Sequence, residues 1–485
     1  MLKPALGLSA LGLSALGLSA LGLASALLLV WGSSPAGAAS VARQLVGVLA
    51  SACLGAAAVL WVALDVRFAR LPLHWVLGLA LLLRVIAIQA SPLLEDDHFR
   101  YLWDGLRTAT SLDPYRLPPS AYFADAALPP MWQDVLSGIN NPDLPTLYGP
   151  VLQGVFALAH GLAPASVFTL QSLLLVADMA VLGLLAHQGV GARPLLVYAV
   201  HPLVLKEALA SAHPDGLVAL LLLLAALAWQ RRSAATVGGL LALAVCTKVA
   251  ALVAVPLLLL APPRALPATS PLALRFAARL AARRRAAAPM GTPMREALHW
   301  ALRTCACFCA VCVALYAPLV WGGGSDAVGL AAFGTQWRFN PLLFRLADLA
   351  LPAGAARPAA AVLIVAGIAV LAWRWHRSVR RAPCRLALPP LDGALAVLVL
   401  LSPVVNPWYW LWALPLSLRR GQGWLAVGML AAPLAYLNTS VLAEASVTLL
   451  GVPDAPYAVL WPATVMQLLA LELAWRWRRR LCLRP

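Results

Sequence analysis

The sequence has few charged residues. Only 11% of its 485 residues are Asp, Glu, Lys or Arg, whereas 62% are hydrophobic and the mean hydropathy is +0.83. So few charged residues cannot cover the surface of a soluble protein, and several apolar runs are long enough to cross a bilayer. Composition therefore excludes an ordinary soluble protein and predicts an all-α polytopic membrane protein.

Acidic residues are scarcer than basic ones, with 19 Asp and Glu against 36 Lys and Arg. In a soluble chain this excess would indicate nucleic-acid binding, but here the arginines stand in short runs between apolar segments, as in cytoplasmic loops. We therefore expect no nucleic-acid partner. The eight cysteines form no disulfide framework, and four of them are interpreted as core residues of one apolar helix. These are Cys305, Cys307, Cys309 and Cys312.

Internal repetition is confined to residues 5–23, which repeat Ala-Leu-Gly-Leu-Ser. A five-residue period matches neither helical nor coiled-coil spacing, so no functional face recurs in it. With residues 24–31 the run is long enough to span a bilayer, and we interpret it as an anchor, with a cleaved signal peptide as the alternative. No second half of the chain matches the first, unlike transporters built from paired repeats.

The apolar segments predict about 11–13 transmembrane or re-entrant helices. Residues 236–261 and 391–418 each start and end at basic sequence, so both are predicted to be broken hairpins with their ends in the cytoplasm. Lys248 lies near the first apex, and two prolines and an asparagine interrupt residues 402–410. On this topology residues 91–150 and 321–358 are external, while 262–298 and 374–390 are cytoplasmic.

Three regions are predicted along the chain. Residues 1–70 hold the repeat and two extra spans, residues 71–442 form the catalytic membrane domain, and residues 443–485 hold a C-terminal span and a basic tail.

Carboxylates concentrate in the first external loop, directly after an apolar segment. They are Glu95, Asp96, Asp97, Asp104, Asp113, Asp125, Asp134 and Asp143. Charges beside hydrocarbon are costly, which favours a functional site over a merely solvated loop. We interpret Asp97 as a general base and Asp96 as a second acid, with the exchanged roles left open. Arg100 would share a helical face with Asp97 and is predicted to orient it.

Other polar residues fall on the same predicted outer face. His213 and Asp215 start a helix, where a helix cap is the alternative interpretation. Lys248 is predicted to hold a lipid phosphate, the alternative being a lysine that ties two helices together. Lys206 and Glu207 are expected to neutralise each other. The predicted substrate-binding set is Glu95, Arg100, Tyr101, Asp104, Tyr148, His213, Asp215, Lys248, Arg338, Asn406, Trp408 and Tyr409, with Asp97 and Asp96 catalytic.

The order of these motifs resembles the integral-membrane glycosyltransferases of the GT-C superfamily. The closest subset is the bacterial mannosyltransferases related to polyprenyl-phosphate-mannose-dependent enzymes and to the catalytic subunit of the GPI mannosyltransferase. The resemblance covers residues 72–440 and leaves the two N-terminal spans outside. It rests on residues 95–105, 112–115, 147–150, 213–216, 247–248 and 402–409. Tyr148-Gly149-Pro150 and His201-Pro202 depart from common forms of the motifs and leave the substrate open.

The resemblance implies an inner-membrane enzyme with a periplasmic active site. It would move a hexose, with mannose favoured, from a polyprenyl phosphate carrier to a lipid or glycan acceptor. No cofactor is certain, and the acidic motif leaves room for a divalent metal. The alternatives are a transporter or flippase of lipid-linked sugars, which also needs broken helices and buried cations, and a non-catalytic assembly subunit.

Overall fold

The computed structural model describes residues 10–34, 40–259, 292–381, 388–438 and 456–483. These residues form helices and turns, with one isolated bridge between Phe339 and Val404 and no strand. Five of their helices are long and apolar enough to cross a membrane. The predicted all-α, polytopic class is therefore confirmed.

The helices of the first part of the chain are α1 (Ala10–Gly32), α2 (Ser40–Leu64), α3 (Leu73–Ala87), α4 (Asp97–Ser111), α5 (Pro130–Ser137), α6 (Pro150–Leu162), α7 (Val167–His187), α8 (Ala192–Ala199), α9 (Gly216–Gln230), α10 (Ala234–Thr247) and α11 (Val255–Leu259). Those of the later part are α12 (Thr292–Trp321), α13 (Ala327–Gln336), α14 (Phe344–Ala350), α15 (Ala356–Arg381), α16 (Leu391–Leu401), α17 (Leu414–Arg419), α18 (Gly423–Gly428) and α19 (Pro456–Arg476). The five long apolar helices are α1, α2, α7, α12 and α15.

Both predicted hairpins are broken where the sequence indicates. Helix α10 ends at Thr247, Lys248 is extended with φ −144° and ψ 130°, and a 3-10 segment Val249–Ala254 follows. Helix α16 ends at Leu401, and a 3-10 segment Pro407–Trp412 continues the chain after the break. Proline interrupts the second because it has no N–H to donate and its ring clashes with the preceding turn.

Residues 194–211, whose apolar sequence predicts a single membrane segment, are also interrupted. Helix α8 ends at Ala199, Pro202 follows, and Val204–Ala210 winds as a π-helix. A proline at this point removes a helical hydrogen bond, which explains why the segment divides. The division turns Lys206 and Glu207 toward the protein interior, where both are buried.

The N-terminal helices belong to the central core. Gly47 of α2 lies against Gly32 of α1 so closely that a Cβ on Gly47 would be 2.9 Å from the Gly32 Cα. Leu18 and Val59 of these helices are fully buried in the same hydrophobic cluster as Leu83 of α3. The core therefore does not separate residues 1–70 from the rest of the described chain.

A buried ion pair joins α3 to α7. Arg84 Nε lies 2.5 Å from Asp178 Oδ2, and the hydroxyl of Tyr198 donates to Asp178 Oδ1 at 2.5 Å. Both charged side chains are buried. Removing one partner of such a pair would leave an uncompensated charge in the core, so the pair fixes how the two helices pack.

The bundle has two chemically different ends. Helix α9 starts after Asp215 and ends at the exposed pair Arg231 and Arg232, and α16 starts beside the Asp392–Arg420 ion pair and ends at the break before Asn406. Arginines gather at one end and the carboxylate motifs at the other. Residues 260–291 and 382–387 of the predicted cytoplasmic segments, and residues 439–455, lie outside the described part of the chain.

Candidate active site

The two helix breaks and the start of α4 meet around a cavity of about 280 Å³. Its polar wall comes from α4, the loop before α6 and the break at Lys248, and its apolar wall from residues 329–339 and 404–409. The cavity is lined by Leu94, Glu95, Asp97, Arg100, Asn140, Asn141, Leu144, Pro145, Thr146, Leu147, Tyr148, Lys248, Gly329, Phe333, Trp337, Phe339, Val404, Asn406, Trp408 and Tyr409.

Asp97 stands in the first turn of α4, where the helix dipole favours a carboxylate. The hydroxyls of Tyr101 and Tyr148 each donate to its Oδ2 at 3.4 Å, and Asn140 Nδ2 donates to its Oδ1 at 3.2 Å. Its side chain is 21% exposed. Asp96, before the helix, is exposed and shares Asn140 as a hydrogen-bond donor. Asp97 is therefore fixed in orientation and faces the cavity.

Close backbone packing positions Tyr148 beside the hairpin. A Cβ on Gly149 would be 2.2 Å from the carbonyl oxygen of Cys246, two residues before Lys248. Only glycine allows this approach. Its consequence is that the Tyr148 ring lies 5.6 Å from the Lys248 ammonium.

Lys248 contributes a cation to the cavity wall. Its Nζ lies 3.0 Å from Asp215 Oδ2, and its side chain keeps 14% exposure. Asp215 is fully buried, and Trp412 Nε1 donates to its Oδ1 at 2.6 Å. The ring of Tyr409 lies 5.6 Å from the lysine on a second side. Asp215 and the aromatic rings thus hold the ammonium at the cavity wall.

A second charged cluster lies behind Asp97. His213 is fully buried, with its ring stacked on Trp408 at 3.7 Å between centroids. Glu207 accepts hydrogen bonds from Lys206 Nζ at 3.1 Å and from the Tyr436 hydroxyl at 3.0 Å. The expected pairing of Lys206 with Glu207 is thus present and is extended by Tyr436.

The apolar wall depends on pairing between two distant loops. The amide of Phe339 donates to the carbonyl of Pro403 at 3.1 Å, and the amide of Val405 donates to the carbonyl of Phe339 at 2.8 Å. This bridge brings Trp337 and Phe339 to the cavity. A cavity with one apolar wall and one charged wall suits an amphiphilic ligand with a polar head.

Residues 5–264 match the model of the MptA_B family, described as alpha-(1->6)-mannopyranosyltransferase, N-terminal domain. The match covers more than half of the chain. The chain belongs to this mannosyltransferase family. No match is found among curated proteins or among solved structures. The mannosyltransferase match starts at residue 5, so it includes the two N-terminal spans that the motif resemblance left outside.

The structure brings most of the predicted set together. The predicted residues that line the cavity are Glu95, Asp97, Arg100, Tyr148, Lys248, Asn406, Trp408 and Tyr409. Tyr101, His213 and Asp215 lie directly behind them and contact the lining residues. The predicted roles of these side chains in the mannosyltransferase remain proposals, but their shared location follows from the fold.

Arg100 does not orient Asp97 as expected. Its two terminal nitrogens donate to the carbonyls of Leu144 and Asn141, each at 3.0 Å. Although the two residues are three apart on α4, the long guanidinium reaches past the carboxylate to these backbone carbonyls of the loop before α6. Arg100 therefore shapes the loop that forms the cavity rim.

Two predicted binding residues lie outside the cavity. Arg338 is exposed and pairs with Asp348 at 2.9 Å. Asp104 is buried between α4 and α6, where Gln153 Nε2 donates to its Oδ2 at 3.1 Å, and burial raises the pKa of its carboxyl to about 6 despite nearby Arg100. Tertiary packing, which sequence spacing does not report, directs both side chains away from the site.

Sequence reasoning missed three contributors to the site. Asn140 binds both acids of the motif, Glu207 faces His213, and Trp412 fixes Asp215. The adjacent asparagines at positions 140–141, in an acidic loop, were a sequence signal that could have indicated an amide donor to the acids. Among the described residues, no group of three His, Cys, Asp or Glu is placed to hold a metal ion.

Proposed function

We propose that the protein transfers mannose from a polyprenyl phosphate carrier to a hydroxyl of a glycan or glycolipid acceptor. The observation that carries the proposal is that Asp97 and Lys248 face one cavity with an apolar wall. The family description supports mannose as the sugar and a 1->6 linkage, which makes the 6-hydroxyl of a mannoside the acceptor group to test.

In this proposal Asp97 is the general base. Its Oδ2 takes the proton of the acceptor hydroxyl while that oxygen forms a bond to the anomeric carbon. The bond from the anomeric carbon to the phosphate oxygen breaks, and its electron pair leaves with the phosphate. A positioned base typically contributes a factor of about 10²–10⁴ to such a step.

Lys248 would hold the phosphate. Its ammonium is partly compensated by Asp215, yet it keeps a free surface toward the cavity. A cation fixed next to a departing phosphate stabilises the charge that develops on it, and it needs no reorganisation during the reaction. Phe333, Trp337 and Phe339 would contact the first units of the polyprenyl chain.

We place this chemistry on the outer, periplasmic face of a bacterial inner membrane. The support is the segregation of charge, because the arginine-rich ends of α9 and α15 lie opposite the cavity end of the bundle. Arginine and lysine are enriched in cytoplasmic loops.

The proposal is tested with purified protein in proteoliposomes. Polyprenyl-phosphate mannose and an octyl mannoside with a free 6-hydroxyl should give a disaccharide product, whereas GDP-mannose should not serve as donor. Asp97→Asn should lower the rate by about 10²–10⁴-fold. Asp134→Asn, an exposed acid of the same loop, is the matched control and should keep the wild-type rate.

Three results would contradict the proposal. Transfer from GDP-mannose alone would exclude the lipid donor. Retained activity in Asp97→Asn with an inactive Asp96→Asn would move the base to Asp96, and activity in both single variants and the double variant would exclude a carboxylate base in this motif.

A further inference from the structure

His213 occupies an unusual electrostatic position. Its Nε2 lies 3.8 Å from Asp97 Oδ2, and its Nδ1 lies 3.4 Å from Glu207 Oε2. The side chain has no exposed surface, and neither ring nitrogen completes a well-formed hydrogen bond with the described residues. A buried polar group without a partner is costly, so packing alone does not account for a histidine here.

The groups around the ring come from several elements. Asp97 belongs to α4, Glu207 to the π-helix, and Trp408 to the second helix break. Lys206 and Tyr436 already donate hydrogen bonds to Glu207 Oε2, the oxygen that His213 Nδ1 approaches, and Lys206 neutralises its charge. The remaining titratable groups of this cluster are Tyr101, Glu95 and His98.

We propose that His213 receives the proton that Asp97 takes from the acceptor hydroxyl. This inference rests on the proposed function. As the acceptor O–H bond breaks, its proton moves to Asp97 Oδ2, and the new bond to the anomeric carbon forms while the phosphate leaves. The proton then passes from Asp97 Oδ2 to His213 Nε2, which restores the carboxylate and leaves an imidazolium.

The physical reason is proton affinity. An imidazole binds a proton more tightly than an aspartate carboxylate by about 2.6 pK units on reference values. Lys206 balances Glu207 beforehand, so the resting histidine faces one uncompensated carboxylate rather than two.

The separation of 3.8 Å is compatible with this relay, because catalytic hydrogen bonds are often long in unliganded proteins and shorten in the substrate complex. After the transfer, the proton leaves His213 through Asp97, the residue from which it came. His213 has no surface, whereas Asp97 is 21% exposed to the cavity and can return the proton to water after the product departs. His213 is therefore a positioning residue that acts through Asp97.

The first test is the pH profile of kcat/KM for transfer from polyprenyl-phosphate mannose to octyl mannoside. The wild-type rate should decline on the acid side of the profile, because a histidine that is already protonated cannot accept the proton from Asp97. His213→Gln should lower the rate about 10- to 100-fold and move this decline to lower pH, because the carboxylate is then the group that accepts the proton. A lower rate with an unmoved decline would overturn the relay, because a structural histidine affects the rate alone.

His201→Gln is the matched control. His201 is also fully buried, but its Nε2 pairs with the carbonyl of Ala426, and it contacts no carboxylate in the part of the chain that the structure describes. It should keep the wild-type pH profile. A shift in this variant equal to that of His213→Gln would overturn the assignment to His213.

The second test needs no turnover. In nanodiscs with ¹⁵N-labelled histidine, the His213 signal is assigned by its loss in His213→Gln. At fixed pH, the protonated fraction of His213 should fall several-fold in both Asp97→Asn and Glu207→Gln. If the protonated fraction of His213 is unchanged in both variants while the wild-type protein transfers mannose, the relay is overturned. If the wild-type protein transfers no mannose, the proposed function itself is overturned.

Discussion

Lys248 is held by one carboxylate and still presents charge to the cavity. If it binds the donor phosphate, Lys248→Met should raise the donor KM about 10- to 100-fold, since a hydrogen bond to a charged group contributes about 1.5–3 kcal/mol. The acceptor KM should not change. Steady-state kinetics with each substrate varied in turn measures both. An equal effect on the two substrates would contradict phosphate binding and favour the alternative, a lysine that ties two helices together.

Removing Lys248 alone leaves Asp215 buried without its cation. The double variant Lys248→Met with Asp215→Asn removes this penalty and separates folding from binding. Arg338→Met is the control for loss of a cation, because Arg338 pairs with Asp348 outside the cavity. It should leave both KM values unchanged.

Asp104 predicts a pH effect on stability. Burial raises its pKa from 3.8 to about 6, so the folded protein binds this proton more tightly than the unfolded chain does. Its contribution to stability therefore decreases as pH rises from about 4 to 6. Asp104→Asn should stabilise the protein by up to about 3 kcal/mol above pH 6 and have little effect below pH 4. Thermal unfolding in detergent across this range measures it, and a pH-independent difference would contradict it.

At the scale of elements, α4 and α6 touch through their backbones. A Cβ on Gly105 would be 2.5 Å from the carbonyl oxygen of Phe156. Gly105→Ala should therefore push the helices apart, cost about 1–3 kcal/mol and lower kcat by displacing Asp97 from Tyr148. Thermal unfolding and transfer assays measure the two effects.

Gly154 is the matched control on α6, because nothing lies within 4 Å of a Cβ added there. Gly154→Ala should stabilise the helix by about 0.5–1 kcal/mol and leave kcat unchanged. Equal destabilisation by both substitutions would contradict close packing as the cause.

Residues 336–341, in the predicted second external loop, have a role that depends on a partner segment. Trp337 and Phe339 reach the cavity because Phe339 pairs with Pro403 and Val405. Nothing in the spacing of residues 336–341 indicates this pairing. The same turn directs Arg338 outward, so the predicted cation of the motif is exposed while its aromatic neighbours line the cavity.

At the scale of the whole molecule, the proposed orientation predicts opposite labelling of the two bundle ends. Ala126→Cys lies in the first external loop, and Arg232→Cys lies at the arginine-rich end of α9; both positions are exposed. An impermeant maleimide should label Ala126→Cys in intact spheroplasts and Arg232→Cys only after permeabilisation. Labelling of both from one side would contradict the topology.

Sequence by itself determined the class, the breaks in the two predicted hairpins and the general location of the candidate site. Hydropathy reports membrane helices because each apolar residue contributes locally, and the prolines at 403 and 407 interrupt the second hairpin because they have no backbone N–H to donate. The acidic motif at the start of α4 was recognisable for the same local reason. The catalytic role of Asp97 stays a prediction.

Tertiary structure decided which of these side chains share the cavity. Asp104 is buried away from the cavity and Arg338 pairs on the surface, although both carry charge beside the motifs. Arg100 lines the cavity, but it donates to two carbonyls rather than to Asp97. Glu207 reaches His213 only because the helix break at Pro202 and the packing of Tyr436 place it there. Such contacts join residues that are far apart in the chain, and the partner of a long side chain depends on which groups the folded structure places within its reach.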